Sequence, residues 1–263
     1  MFAEERHNKI LALLKSGKHV KVAELSILFA VSEATIRRDL QELENLSLLQ
    51  RTHGGAVSPQ ADFELSFRDR EVHLLNEKQQ IAITAASMVE DGETILLDAG
   101  TTTREIARAL CGKRLTVATN SMDVAAIFSE EPDIDVLLLG GTWRKSINSL
   151  VGSLTNSMLK LLCFDKVFLA ANAVDYILGA TTQNVVEAET KRAMVHAAKT
   201  AILVVDHSKF EQKTFARICS LSEFSMIITD SGTNKDVLAS LRDHTQVIVC
   251  EASLKQKEVD TND

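Results

Sequence analysis

The residues best placed to do chemistry in this chain suit the binding of anions better than bond making. Asp98-Ala99-Gly100-Thr101-Thr102-Thr103 brings a carboxylate, a glycine and three hydroxyls into one short stretch. Glycine lets the backbone approach a ligand closely, threonine hydroxyls donate, and a helix starting here adds free amides, a combination that suits a phosphate. It is no P-loop, because GxxxxGK[ST] is absent. Asn120, in Thr119-Asn120-Ser121, can bond a hydroxyl or cap the next helix. Gly140 and Gly141 can leave backbone amides open to an anion, and Asn172 adds a polar side chain further on. Lys191, within EAETKRAM, can reach a phosphate or pair with Glu187 four residues earlier. Lys209, in DHSKF, is a phosphate contact or a solvated loop charge. Taken singly, each of these is more often structural than functional, and DAGTTT also reads as an ordinary capped turn.

A second set of polar residues lies in VSEATIRRDLQELENLSLLQRTHGGA, residues 31–56. Ser32 can cap a helix on which Ile36, Leu40 and Leu43 recur at spacings of three and four, leaving Arg37, Arg38 and Gln41 off the apolar face. Val22, Leu25, Ile27, Leu28 and Phe29 suit a shorter helix just upstream, joined through a tight connection at Ala30-Val31. This is the pattern of a helix-turn-helix, whose second helix enters the DNA major groove. Residues 48–52, turning at Gly54-Gly55 and returning through Ala56-Val57, then form a wing. In this reading Thr35 docks the helix N-terminus, Arg37 and Arg38 reach bases or phosphates, and Arg51 with His53 serves the wing.

The elements that must position these groups follow from periodicity. A first helix spans 3–15, with Ile10, Leu11, Leu13 and Leu14 on its buried side, and Leu43, Leu46, Leu48 and Leu49 complete a small core. Residues 58–75 are a linker of mixed charge and isolated apolar residues. From 76 to 250, short apolar runs at 94–98, 116–119, 135–139, 166–171, 201–206, 226–229 and 246–250 alternate with helical patterns. Such alternation predicts a Rossmann-like, mainly parallel sheet with helices on both faces, whose ligands bind beyond the C-terminal strand ends. Every candidate anion ligand except Lys191 falls at such an end. The domains expected are therefore 1–57, the linker 58–75, 76–250, and a polar tail at 251–263.

TIRRDL followed by a leucine-rich stretch and RTHGGA resembles the signature of the DeoR family of bacterial sugar-metabolism regulators. DAGTTT, TNS, the GGT at 140–142 and DHSKF are similar to landmarks of that family's C-terminal domain. The resemblance implies a winged helix-turn-helix joined to a ribose-5-phosphate-isomerase-like α/β domain that senses a phosphorylated sugar or related metabolite. By matching position it implies Asp98, Gly100, Thr101, Thr102, Asn120, Gly141 and Lys191 as effector contacts. Two places depart from the family pattern. Leu169-Ala170-Ala171-Asn172-Ala173-Val174 has alanines where a glycine-rich segment is common, which adds a methyl and narrows the pocket. His207 stands where serine is usual.

Composition limits the alternatives. The 263 residues are 45% hydrophobic and carry a net charge of −7. Residues 1–57 hold 8 Lys/Arg against 7 Asp/Glu, and the remainder 21 against 29, so the acidity belongs to the larger segment. A near-neutral head relies on local arginines and on doubling its contacts in a homodimer or homotetramer on a double-stranded operator. No apolar run approaches the ~20 residues that span a bilayer. Cys111, Cys163, Cys219 and Cys250 form no CxxC pair and read as reduced packing thiols in a cytoplasmic protein. No metal, cofactor or catalytic constellation stands out. The expectation is a repressor of a carbohydrate operon relieved by a sugar phosphate; the alternatives are an activator of the same architecture and a sugar-phosphate isomerase bearing a DNA-binding head.

Overall fold

The computed structural model describes residues 3–15, 19–45, 48–52, 54–57 and 73–250. The chain divides into two compact units, Met1–His73 and Leu74–Asp263. The linker expected at 58–75 lies almost wholly outside the described residues, and His53, Leu46 and the tail at 251–263 lie outside them altogether.

The first unit contains α1 (Ala3–Lys15), β1 (Val20–Lys21), α2 (Val22–Phe29), α3 (Glu33–Asn45), β2 (Gln50–Thr52) and β3 (Gly55–Val57). Ile10, Leu14, Val22, Leu25, Ile36, Leu40 and Leu43 pack together with Leu49 beneath the small sheet. Ile27 and Leu28 belong to α2 but are exposed, as is Leu48, so the apolar stripe is narrower than the sequence suggested. The turn between α2 and α3 is closed by Ala30 in the left-handed region at φ 53°, with Val31 N donating to Ser26 O and Ser26 Oγ to Val31 O. The wing has a third strand that sequence reading missed. β1 pairs antiparallel with β3, giving the order β1-β3-β2. Gly55 is obligatory there, since a Cβ would sit 1.7 Å from Val20 O.

Asp39 of the TIRRDL string is buried and accepts two bonds from Arg6, from Nε at 2.7 Å and from a terminal guanidinium nitrogen at 2.9 Å. That fork ties α1 to α3 and fixes the angle at which the exposed face of α3 is presented.

The second unit is built on a seven-stranded, all-parallel sheet. Its strands are β4 (Thr94–Leu97), β5 (Leu115–Thr119), β6 (Ile134–Leu138), β9 (Phe164–Leu169), β12 (Ala198–Val204), β14 (Met226–Asp230) and β15 (Gln246–Cys250). These are the seven runs expected from the sequence, and their order is β15-β14-β12-β9-β4-β5-β6. Successive residues serve opposite faces: Leu96 joins one apolar cluster, Ile95 and Leu97 the other. On the Ile95 face lie α4 (Leu75–Ser87), α5 (Thr101–Leu110) and α6 (Met122–Ile127). On the Leu96 face lie α7 (Ser153–Leu159), α8 (Val185–His196) and α9 (Lys235–Arg242).

Two small antiparallel sheets were not foreseen. One is the hairpin of β7 (Thr142–Arg144) and β8 (Ser149–Val151); the other joins β10 (Ala173–Asp175), β11 (Gly179–Thr182) and β13 (Ala216–Cys219). The cysteines also divide: Cys219 and Cys250 are buried, whereas Cys111 and Cys163 are exposed, so packing accounts for only two of the four. Burial pushes the Cys219 thiol up to about 12, leaving it protonated and inert.

At the opposite end of the sheet from the loops discussed below, Asp165 locks β9 to β4. Its carboxylate pairs with Lys199 at 2.8 Å and accepts the Thr94 N–H at 2.9 Å and hydroxyl at 2.7 Å. The Lys199 bond, followed by the two from Thr94, holds its carboxyl well below the usual range. A depressed carboxyl stabilises the fold above its unfolded value of ~3.9 and loses that contribution as pH falls through the folded value. Asp165→Asn is therefore expected to lower the melting temperature at pH 7, with the gap from the unsubstituted protein closing as pH falls below ~4; a gap independent of pH would contradict the assignment.

Candidate functional site

From β4 the chain proceeds to β5 and β6 on one side, then returns through β9 and β12 on the other. The order therefore switches direction between β4 and β9, and a doubly wound sheet opens a crevice at that point. Asp98 directly follows β4 there, and Ala170 directly follows β9.

Asp98 is 1% exposed and Lys191, reaching in from α8, is 4% exposed. Lys191 Nζ bonds Asp98 Oδ2 directly and donates to Ala170 O at 3.0 Å, while Ala170 N donates to the same Asp98 oxygen at 3.1 Å. Glu187 stands 3.7 Å from the ammonium, one helical turn before it. Burial pushes the Asp98 carboxyl up, and Lys191 and the Ala170 amide pull it back without cancelling the effect. The second Asp98 oxygen, Oδ1, is buried with no hydrogen-bond partner. Lys191 is thus a neutralised strand-end clamp rather than an open ammonium, and its main partner is Asp98, 93 residues away, with Glu187 secondary.

Gly100 precedes α5, whose first turn no side chain caps. A Cβ at Gly100 would stand 3.1 Å from the Ala170 methyl, so a side chain at residue 100 would be tightly confined. Thr101 is half-buried and Thr102 buried; the hydroxyl of Thr103, the third in the stretch, bonds Asp98 O at 2.6 Å. Asn120, one strand over, donates to Ser149 Oγ at 2.8 Å and Leu150 O at 3.1 Å, holding the β7–β8 hairpin across the strand ends. Its Oδ1 is also buried and without a partner.

Gly141 is required by packing, since a Cβ would meet Thr155 Oγ1 at 2.1 Å; the neighbouring Gly140 amide already points to Met158 Sδ at 3.2 Å. Asn172 is taken up by the smaller sheet, accepting from the Thr182 hydroxyl at 2.9 Å. Lys209 lies in the short 3-10 turn His207–Lys209 that follows Asp206. Although burial pushes the Asp206 carboxyl up, Lys209, Ser208 and Lys78 hold it below the ordinary range. His207 Nδ1 bonds the buried Asp230 carboxylate at 2.7 Å. The structure therefore brings Asp98, Gly100 and Lys191 together with Asn120 at the end of the adjoining strand, while Asn172 is bonded within the smaller sheet and Lys209 lies in the turn after β12. Among the described residues no group of three or more His, Cys, Asp and Glu side chains is arranged to hold a metal.

On the head, Ser32 Oγ accepts the Thr35 amide at 3.1 Å and contacts the Thr35 hydroxyl, forming the cap that sequence suggested. Arg37 is exposed but pairs with Glu33 at 3.0 Å. Gln41 and Arg51 bond each other, and the Arg51 amide is held by Glu44 at 2.9 Å. Arg38 is exposed and has no ion pair among the described residues.

A winged helix-turn-helix unit and a parallel-sheet unit with a polar switch point, joined in one chain, define a two-part DNA-binding protein. Residues 6–62 match the family model described as a DeoR-like helix-turn-helix domain, and residues 74–231 the DeoR C-terminal sensor domain. The chain belongs to the DeoR family and is a DNA-binding transcriptional regulator. It is 38% identical over 92% of its length to YulB of Bacillus subtilis strain 168, named as an uncharacterized HTH-type transcriptional regulator, 95% of which is covered. It is 33% identical over 91% of its length to the glycerol-3-phosphate regulon repressor of Escherichia coli K12, covering 96% of that protein. Ribose 5-phosphate isomerase A of Methanocaldococcus jannaschii superimposes on 51% of the chain and 53% of its own, at 17% identity and a TM-score of 0.37, too loosely to bear on function. Among the described residues no helix is long and apolar enough to cross a membrane.

Two outcomes test the geometry. Lys191→Met leaves Asp98 buried and uncompensated and is expected to cost about 3–5 kcal/mol in denaturant unfolding, with the double variant Asp98→Leu/Lys191→Met losing less than Lys191→Met alone. Additive losses would show that the pair does not act as a unit. Arg38→Ala is expected to weaken operator binding about ten- to hundredfold, from the ~1–3 kcal/mol of a base-reading arginine, and Arg37→Ala by less; equal losses in anisotropy titrations would remove the distinction.

Proposed function

We propose that this protein represses a carbohydrate-utilisation operon and is released from its operator by a phosphorylated sugar or related metabolite. The observation that carries the reading is the buried Asp98–Lys191 pair at the sheet's switch point, which puts paired charges where an apolar core would otherwise lie. The uncapped start of α5 supplies amides for a phosphate, and the unfilled acceptors on Asp98 and Asn120 suit sugar hydroxyls. Operator reading by two heads calls for a homodimer or homotetramer, and the protein acts in the cytoplasm. Ser32, Thr35, Arg37, Arg38, Gln41, Arg51 and His53 form the DNA-facing set, with Arg38 as the principal reader. The name of the Escherichia coli relative supports repression and a small phosphate ester as the class of signal.

One observation favours a second reading. Asp98, Glu187 and Lys191 form a buried acid–base cluster that sequence spacing did not suggest, and such a group can move a proton in an isomerase. The relatives named as regulators, and a lysine already compensated on two sides, weigh toward sensing.

The test is fluorescence anisotropy on DNA from upstream of the protein's own operon, titrated at fixed salt with a panel of sugar phosphates and glycerol 3-phosphate. Release by one phosphate ester and not by its dephosphorylated form is expected. Turnover of an aldose phosphate, with no effect on DNA binding, would replace sensing with catalysis.

A further inference from the structure

Of the two cations that sequence nominated for the effector's phosphate, Lys191 is already engaged by Asp98 and Glu187, and Lys209 sits in the 3-10 turn that follows Asp206. A phosphate dianion at the switch point needs another partner, and the β7–β8 hairpin provides one. Arg144 is half-buried; its Nε is buried without a hydrogen-bond partner, and no carboxylate among the described residues pairs with it.

The hairpin's register fixes the direction in which Arg144 faces. Arg144 lies directly opposite Ser149, and Thr142 opposite Val151, so these four side chains share one face of the ribbon. Ser149 and Val151 are buried, and Ser149 Oγ accepts the bond from Asn120. Trp143 and Leu150 occupy the other face, where Trp143 is 48% exposed and carries Lys145 over its ring at 5.5 Å. Arg144 therefore belongs to the inner face, the one turned toward Asn120 and the strand ends, while the neighbouring lysine is held outside.

We propose that Arg144 is the residue that receives the phosphate group of the effector, with Asn120 Oδ1 and Asp98 Oδ1 accepting hydroxyls from the same molecule. The proposal rests on the sensing function given above and assigns the two ends of its ligand. A guanidinium offers a planar fork that matches two phosphate oxygens; one such donor belongs to the hairpin's inner face, and the Asn120 and Asp98 oxygens at the strand ends lack a donor. The ligand class is a small phosphate monoester with free hydroxyls, and its arrival would tie the hairpin to the ends of β4 and β5.

The experiment is calorimetric titration of the full-length protein with inorganic phosphate, at ionic strength held constant with chloride. It compares the unsubstituted chain with Arg144→Gln, Arg144→Lys and Lys145→Gln, each checked for an unchanged ligand-free melting temperature. Arg144→Gln is expected to weaken phosphate about tenfold or more, Arg144→Lys to bind between the two because it keeps the charge and loses the fork, and Lys145→Gln to bind as the unsubstituted protein does. If Arg144→Gln misfolds, the intermediate affinity of Arg144→Lys decides. Undiminished binding by the arginine variants, or an equal loss in Lys145→Gln, overturns the assignment of Arg144 and leaves the sensing of phosphate esters standing. No saturable phosphate binding by the unsubstituted protein overturns both.

Discussion

Two opposite charges, Asp98 and Lys191, are buried together where the parallel sheet reverses its winding. Removing such charges from water costs several kcal/mol each before their attraction offsets it, and apolar residues of the same volume would serve stability as well or better. What the pair supplies is position. Lys191 reaches from α8 to hold the ends of β4 and β9 at a fixed separation, and Ala170 closes the arrangement through its own amide and carbonyl. Around it lie the loop that opens α5, the Asn120 bridge to the β7–β8 hairpin, and Gly100, where a Cβ would stand 3.1 Å from the Ala170 methyl. A site held in this way is rigid, polar and incompletely satisfied, which is the condition for a ligand to gain binding energy by completing it.

The DNA-binding unit uses the same device on a smaller scale. Asp39 sits on the buried side of α3 and takes a two-pronged bond from Arg6, so the helix that faces DNA is fixed by a charge pair as well as by Ile36, Leu40 and Leu43. Within Arg37-Arg38-Asp39 three charged neighbours thus have three different fates: one pairs along its own helix, one is exposed with no ion pair among the described residues, and one is structural.

Much of this was legible in the sequence because it rests on local signals. The seven strands of the main sheet were apolar runs bounded by turn residues, and buried parallel strands give that pattern directly. The helix-turn-helix was visible as a capped, amphipathic helix after a short one. The strands β1, β7, β8, β10, β11 and β13 were not, because segments of two to four residues carry no measurable period. Lys191 was read against Glu187 because the two are four residues apart, whereas its main partner lies 93 residues away and is met only after the sheet has formed. Arg144 was passed over for the same reason: its meaning depends on the register of a hairpin that no pattern announced. The cap at Ser32 and the need for glycine in the wing, by contrast, belong to neighbours a few residues or one turn apart.

Under the proposed function one molecule joins two equilibria, and linkage requires that each ligand change the other's affinity by the same factor. The most direct measurement is the affinity of the inducing phosphate ester for the free protein and for the protein saturated with operator DNA, both by calorimetry in one buffer. Weaker binding to the DNA complex is expected, by the same factor by which the ester lowers operator affinity. Equal affinity for the free and DNA-bound protein would contradict it, because a ligand that does not distinguish the two states cannot shift their balance.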